Sequence, residues 1–339
     1  MKIARLRFRD VVRWVGLALA LALLAKLLLG PEGAAGLSLL RERGPLLLLG
    51  LLPFLAFELI DTAAWRRLIG AMGVTPRYLP LLQARISAEA VNLTLPAGAA
   101  VAEAITPALL YRRCGIAIRD GVVGMAARRW TVLRAHGVYL FAGGIVGLLV
   151  ATQPPALPWL TFLFSAVALG IAAGARLIFT ERSGSSRLES MLEKLPGRFH
   201  IWFANRRASF AAVDRRFEAF ARAEGADWLA NTAIYLAAWM VEAVETFLLL
   251  RLLGAQLSFS EVFPIEAALS FVRSVAFLAP AGLGVQDLGY VALFTALPRP
   301  VVLAFIASKR GKELLWAAVG YLALLGRKTS APLVQEVST

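Results

Sequence analysis

The sequence has 339 residues, of which 59% are hydrophobic and 17% are charged, and its mean hydropathy is +0.69. Soluble domains are nearer to roughly 45–50% apolar and about a quarter charged, so this composition argues against a soluble protein and favours one membrane domain over residues 1–339. The net charge of +14 could indicate nucleic-acid binding, but the basic residues lie in short segments beside apolar runs. That placement is typical of membrane proteins, and we exclude nucleic acid as a partner.

Residues that hold metals and cofactors are scarce in the sequence. Cys114 is the single cysteine, and the two histidines, His136 and His200, are far apart. We therefore predict no disulfide, no metal site and no cofactor. The sequence also lacks a phosphate-binding glycine loop and a zinc-peptidase signature, so it indicates no catalytic residues and no enzymatic activity.

Apolar runs of roughly 20 residues are long enough to cross a hydrocarbon core as helices. The first run follows a basic N-terminus, which predicts that the N-terminus is cytoplasmic. The same charge bias holds at each later turn, so we expect a cytoplasmic C-terminus and a bacterial inner-membrane location. The fold class predicted is an all-α polytopic membrane protein. Its six full spans are predicted over residues 12–29, 45–64, 121–150, 158–180, 228–250 and 301–325.

Two further apolar stretches, over residues 78–112 and 258–297, do not fit a simple span. Each has Pro-Ala-Gly near its middle, where proline removes a helical hydrogen bond. A broken backbone at membrane depth is tolerated only where it is buried in protein or lines a wet cavity. We predict two re-entrant helical hairpins, with a kinked ordinary span as the alternative. The predicted break residues are Pro96, Gly98, Pro280, Gly282 and Gly284.

The segment over residues 183–225 has a different pattern. Aromatic and aliphatic side chains recur there at three- and four-residue steps, with arginines between them. This pattern predicts an amphipathic cytoplasmic helix. It would lie either on an anionic bilayer surface or against the protein's own cytoplasmic face.

The strongest pattern is internal similarity between residues 95–103 and 279–287. Both have Pro-Ala-Gly, a valine three residues later and an acid two residues beyond that, and a basic cluster follows one helix downstream. We predict two repeats, over residues 45–150 and 228–325. An odd number of spans lies between the hairpins, so they would enter from opposite faces as an inverted repeat. Transporters built this way bind substrate at the repeat interface.

Ionisable side chains inside the apolar segments cost roughly 2.5–3.5 kcal/mol each on insertion scales, and they persist when they pair or face a cavity. Arg85 with Glu89 and Lys309 with Glu313 could form closed ion pairs. The basic residues concentrate beside the two breaks, and such residues bind phosphate oxygens. The pattern therefore predicts a cavity for an anionic or lipid-linked headgroup. The candidate substrate-binding residues are Arg85, Glu89, Asn92, Glu103, Arg128, Arg129, Arg134, Arg273, Asp287, Lys309 and Arg310.

Three segments carry a resemblance to a known family: residues 83–98, the basic span at 128–134, and residues 277–287 with their Pro-x-Gly-x-Gly-Val-x-acid element. Together they resemble the flippase-like family, which is the transmembrane region of lysylphosphatidylglycerol synthases and its stand-alone relatives. The resemblance covers about residues 45–325. The first copy of the element departs from the pattern because it lacks the second glycine. The resemblance implies lipid translocation between leaflets.

The sequence ends at Thr339 after a short polar tail, so we expect a stand-alone member that lacks the aminoacyltransferase domain and is not a lysyltransferase. The alternative functions are a membrane-embedded enzyme and an accessory scaffold in envelope-lipid (hopanoid or glycolipid) synthesis. The expected partners are membrane lipids, either an anionic phospholipid or a lipid-linked intermediate. A second copy of the chain and an envelope-lipid enzyme remain open as protein partners.

Overall fold

The computed structural model describes residues 29–95, 97–180, 220, 227–275, 282–326 and 335–336. The predicted span over 12–29 lies outside these residues apart from Leu29. The predicted amphipathic segment over 183–225 lies outside them apart from Phe220. The two break prolines, Pro96 and Pro280, also lie outside the described residues.

The described chain is helical except for one short antiparallel ladder, which pairs Val74–Thr75 (β1) with Gln335–Glu336 (β2). A single 3-10 turn, Leu48–Gly50, separates the first two helices. The helices are α1 (Pro31–Leu47), α2 (Leu51–Gly70), α3 (Tyr78–Thr94), α4 (Gly98–Cys114), α5 (Ile118–Leu149), α6 (Leu157–Thr180), α7 (Trp228–Leu252), α8 (Phe259–Val275), α9 (Val285–Leu293) and α10 (Arg299–Leu325).

Three of the described helices are long and apolar enough to cross a membrane: α5, the Leu157–Gly174 part of α6, and α7. They coincide with the predicted spans over 121–150, 158–180 and 228–250. α10 matches the length of the predicted span over 301–325, but Lys309, Arg310, Lys312 and Glu313 interrupt its apolar sequence. The predicted helical class is confirmed, whereas the number of six spans remains a prediction.

The predicted span over 45–64 is wrong at its start. The chain forms α1 up to Leu47, turns through the 3-10 segment, and begins α2 at Leu51. Pro53 lies in the first turn of α2, where its missing N–H would have no helical partner in any case, so a helix start is favoured here over a continuous helix. α1 lies between two predicted spans and was not predicted.

Each stretch with Pro-Ala-Gly contains two helices, one before and one after this sequence, whereas the re-entrant path through the membrane stays a prediction. In the first, Ala97 has a left-handed φ of 54° and Gly98 packs against the carbonyl oxygen of Asn92, where a side chain would clash. In the second, Gly282 and Gly284 have φ values of 68° and 83° before α9 begins. The first break therefore needs no second glycine. Entry of the hairpins from opposite membrane faces stays a prediction.

The same order of elements occurs twice in the described chain: one helix, a helical hairpin and a long helix. The first half is α2, α3–α4 and α5, and the second half is α7, α8–α9 and α10. α2 packs against α7, α3 packs against α10, and α8 packs against α5. Each hairpin therefore rests on the long helix of the other half, which brings both breaks toward the boundary between the halves.

Gly320 marks the close approach of α10 to α3. A Cβ atom at this position would meet the carbonyl oxygen of Ile86 and the side chain of Ala90. We expect Gly320→Ala to lower the free energy of unfolding by about 1–3 kcal/mol because the helices must separate. The control is Gly311→Ala on the same helix, where an added methyl meets no atom within 4 Å. Thermal unfolding in detergent measures both, and equal stability of the two variants would contradict this packing.

Candidate functional site

A cavity of about 240 Å³ lies between the two halves of the described fold. Helices α2 to α5 form its wall on one side, and α7, α8 and α10 form it on the other. Gly98 and Gly282, one from each break, both line it. We call this space the charged cavity. Its aromatic wall residues are Phe54, Phe57, Trp65 and Trp239.

The lining of the charged cavity holds as many acids as bases. This balance differs from the basic wall that the sequence predicts, because α7 and α4 contribute carboxylates beside the basic residues of α5 and α10. The cationic lining residues are Arg85, Arg128, Arg129, Arg273 and Lys312, and the acidic ones are Glu89, Glu103, Glu242, Glu245 and Glu313.

The predicted substrate-binding residues divide into two groups. Most of them lie together in the wall of the charged cavity, although they come from three helices of the first half and one of the second. The residues in the wall are Arg85, Glu89, Asn92, Glu103, Arg128, Arg129 and Arg273, and those outside it are Arg134, Asp287, Lys309 and Arg310.

In the first half, the bases are held by a cluster of buried carboxylates. Arg85 donates from Nε to Asp61 and from Nη1 to Glu89 at 2.6 Å, and its Nη2 lies 3.3 Å from Glu58. Arg128 donates to the same Asp61 from Nε at 3.1 Å and from Nη2 at 2.5 Å. Glu58 and Asp61 are fully buried on α2. The predicted Arg85–Glu89 contact is therefore one part of a larger network.

In the second half, two further pairs form between α7 and the hairpin or the long helix. Arg273 donates to both oxygens of Glu242, at 2.8 Å for Nη2. Lys312 donates to Glu245, and its ammonium lies 4.6 Å from the centre of the Phe54 ring. Because Phe54 is on α2, Lys312 also contacts the first half.

The ion pairs of the two halves occupy equivalent positions. Asp61 with Arg128 and Glu245 with Lys312 each join residues 67 positions apart. The interval from Gly98 to Gly282 also separates Asp61 from Glu245 and Arg128 from Lys312. The similarity around the two breaks thus extends to a carboxylate on the first helix and a base on the last helix of each half.

One pair in the charged cavity is open. The Nε of Arg129 lies 3.2 Å from Glu103, and the two side chains are 59% and 42% exposed. The other pairs that line the cavity are buried or half-buried. An exposed pair contributes only about 0–1 kcal/mol, so it opens easily.

The remaining predicted bases have partners elsewhere in the structure. Lys309 bonds to Glu266 at 3.1 Å, which replaces the predicted Lys309–Glu313 pair. Arg310 bonds to Asp287 at 2.7 Å and to Glu313 at 2.5 Å. These contacts join α8, α9 and α10, and of the residues involved Glu313 alone lines the charged cavity.

Arg134 lies at the end of the bundle near the start of α7. It donates to Thr232 at 2.7 Å and to the carbonyl oxygen of Trp228, and it stacks over Trp130 and Trp228 at 5.3 and 5.5 Å. Its contacts attach α5 to α7.

The family of this chain follows from its sequence as a whole. The model of the family described as the lysylphosphatidylglycerol synthase TM region matches residues 13–320. The chain belongs to this family. No curated protein and no solved structure matches the chain.

The lysylphosphatidylglycerol synthase TM region is a membrane domain, which agrees with the apolar helices α5, α6 and α7. The match covers both halves of the described fold, so both breaks and the charged cavity lie inside the family region. Within the part of the chain that the structure describes, no group of three His, Cys, Asp or Glu side chains is placed to hold a metal ion.

Glu242, Glu245, Lys312 and Glu313 line the charged cavity but are not among the candidate substrate-binding residues. Glu58 and Asp61, which bind Arg85 and Arg128, were not predicted either. A signal was present, because their spacing of three residues recurs in Glu242 and Glu245, and the two pairs are separated by the same interval as Gly98 and Gly282. The similarity between the two halves thus extends upstream of Pro-Ala-Gly to both acids.

Proposed function

We propose that this protein translocates lipids between the leaflets of the bacterial inner membrane and that the lipid headgroup passes through the charged cavity. The observation that carries the proposal is a charged space between two equivalent halves of a membrane protein. A headgroup charge in hydrocarbon costs several kcal/mol, and fixed charges of opposite sign lower that cost. The acyl chains would stay in the bilayer.

The arrangement of the halves suits alternating access. Each hairpin rests on the long helix of the other half, so a rocking of one half against the other would move both breaks together. The sequence prediction that the hairpins enter from opposite faces fits the same mechanism, because each leaflet would then have its own access route. N- and C-termini in the cytoplasm remain part of this proposal.

Filling the charged cavity tests this function. Ala99 on α4 lines the cavity, whereas its neighbour Ala100 is exposed and does not. We expect Ala99→Trp to slow lipid movement by about tenfold or more, equal to roughly 1.4 kcal/mol in the barrier, while Ala100→Trp keeps the wild-type rate.

The measurement is the accessibility of an acyl-labelled fluorescent phospholipid to an impermeant quencher in reconstituted vesicles. Protein-free vesicles give the background. Equal rates for Ala99→Trp, Ala100→Trp and the unmodified chain would show that lipids do not pass through this cavity.

A further inference from the structure

The pair Arg129–Glu103 differs from every other ion pair in the described cavity wall. Its two side chains are the most exposed, and the Nε of the guanidinium lies 3.2 Å from the carboxylate. Arg85, Arg128 and Arg273 use two or more atoms of the guanidinium on their carboxylates. Arg129 and Glu103 are thus the cavity charges that a ligand can reach without breaking a buried pair.

The acid of the second half that is equivalent to Glu103 is buried and paired. The interval from Gly98 to Gly282 relates Glu103 to Asp287. Asp287 accepts the N–H of Gly284 at 2.8 Å and bonds from Arg310 at 2.7, 3.0 and 3.3 Å, and its side chain is 2% exposed. One copy of this acid therefore holds the second break in place, and the other copy faces the charged cavity.

The balance of charge around this open pair limits what can bind. A ligand with a single charge would bind either Arg129 or Glu103 and separate the two. The other side chain would then lose its partner, and the ligand would also displace the water around it, which is unfavourable. The remaining cavity charges add no excess of either sign, since they are already paired. A ligand with a negative and a positive group replaces both halves of the contact at once.

We propose that the charged cavity takes a zwitterionic headgroup, with a phosphate on Arg129 and an ammonium on Glu103. This proposal rests on the proposed function and names its substrate class. A guanidinium binds phosphate oxygens through parallel N–H donors, and the Arg129 side chain is 59% exposed, so a phosphate can reach it. The carboxylate of Glu103 attracts the ammonium, and the aromatic cavity wall favours a cation as well.

Two matched pairs of acyl-labelled lipids test the substrate class in reconstituted vesicles. Phosphatidylethanolamine and its N-acetyl derivative differ by the ammonium charge, and phosphatidylcholine and its phosphate ethyl ester differ by the phosphate charge. We expect each zwitterion to move about tenfold faster than its singly charged partner, equal to roughly 1.4 kcal/mol. Equal rates within either pair would overturn the headgroup assignment and leave lipid translocation standing. No movement above protein-free vesicles would overturn the proposed function, and the assignment with it.

Two substitutions separate the roles of the open pair. We expect Glu103→Gln to raise the rate of the N-acetyl lipid relative to phosphatidylethanolamine, and Arg129→Gln to raise that of the ethyl ester relative to phosphatidylcholine. The control is Arg299→Gln, which removes a similarly exposed pair with Glu32 away from the cavity. If the pair only stabilised the fold, each substitution would slow the movement of all four lipids equally, and that result would overturn the assignment.

Discussion

We expect Arg85→Met to abolish most of the yield of folded protein. Arg85 is buried and contacts three carboxylates, those of Glu58, Asp61 and Glu89. Without it, Arg128 is the only cation among the described residues that bonds to Asp61, and Glu58 loses the ion-pair partner that the described residues give it. Removing one partner from a buried pair costs about 3–5 kcal/mol, which is a large part of the stability of a typical protein. The yield of monodisperse protein and its thermal unfolding in detergent measure the loss.

Arg299→Met is the matched control for this substitution. It removes an arginine whose partner, Glu32, lies at 3.6 Å in a pair that is 63% and 49% exposed. Such a pair contributes about 0–1 kcal/mol, so the variant is expected to fold normally. Arg85→Lys should fall between the two, because a single ammonium keeps the charge but lacks the fork that reaches several carboxylates. Wild-type stability of Arg85→Met would show that the carboxylates of α2 do not depend on it.

The parts of the fold that hydropathy predicts are the uniformly apolar helices. α5, α6 and α7 have long windows with few charges, and their predicted spans agree with the structure. α2 and α10 have buried charges that are compensated by other helices, a property invisible in a hydropathy profile. The start of α2 depends on Pro53 and on local geometry, so its predicted span began too early.

The parts of the site that sequence predicts are the local ones. Arg85 and Glu89 are one turn apart, and they pair as expected at 2.6 Å. Lys309 and Glu313 have the same spacing but do not pair, because Glu266 on α8 is nearer to Lys309 and Arg310 bonds to Glu313. Partner choice between helices depends on tertiary distances. Spacing along one helix cannot supply them.

The same limit explains the expected basic cavity. The sequence shows arginines beside the breaks, but it does not show which acids bind them. Asp61 neutralises Arg128 across 67 residues of sequence, and Glu245 does the same for Lys312. Most of the basic side chains in the cavity wall are therefore already bound to carboxylates. The cavity is consequently better described by its open pair than by its total of basic residues.

Lys309→Met is the second substitution with a large expected effect. The ammonium of Lys309 lies 3.1 Å from Glu266 and 2.6 Å from the Tyr290 hydroxyl, and Glu266 is fully buried. Glu266 also accepts bonds from Thr246 at 2.9 Å and from Tyr290 at 2.7 Å. Without the lysine, a charged carboxylate stays in the core of α7–α10, at a cost of about 3–5 kcal/mol. Thermal unfolding in detergent measures this loss.

The double variant Lys309→Met/Glu266→Gln is expected to recover most of that stability. The side-chain amide oxygen at position 266 can still accept hydrogen bonds from Thr246 and Tyr290, and this cluster no longer holds a buried charge without a partner. Because this cluster lies outside the wall of the charged cavity, the double variant should also keep lipid movement near the wild-type rate. A stable double variant that no longer moves lipid would instead make Lys309 a headgroup contact. Stability and transport measured on the same protein therefore decide whether Lys309 stabilises the helix packing or binds the lipid headgroup.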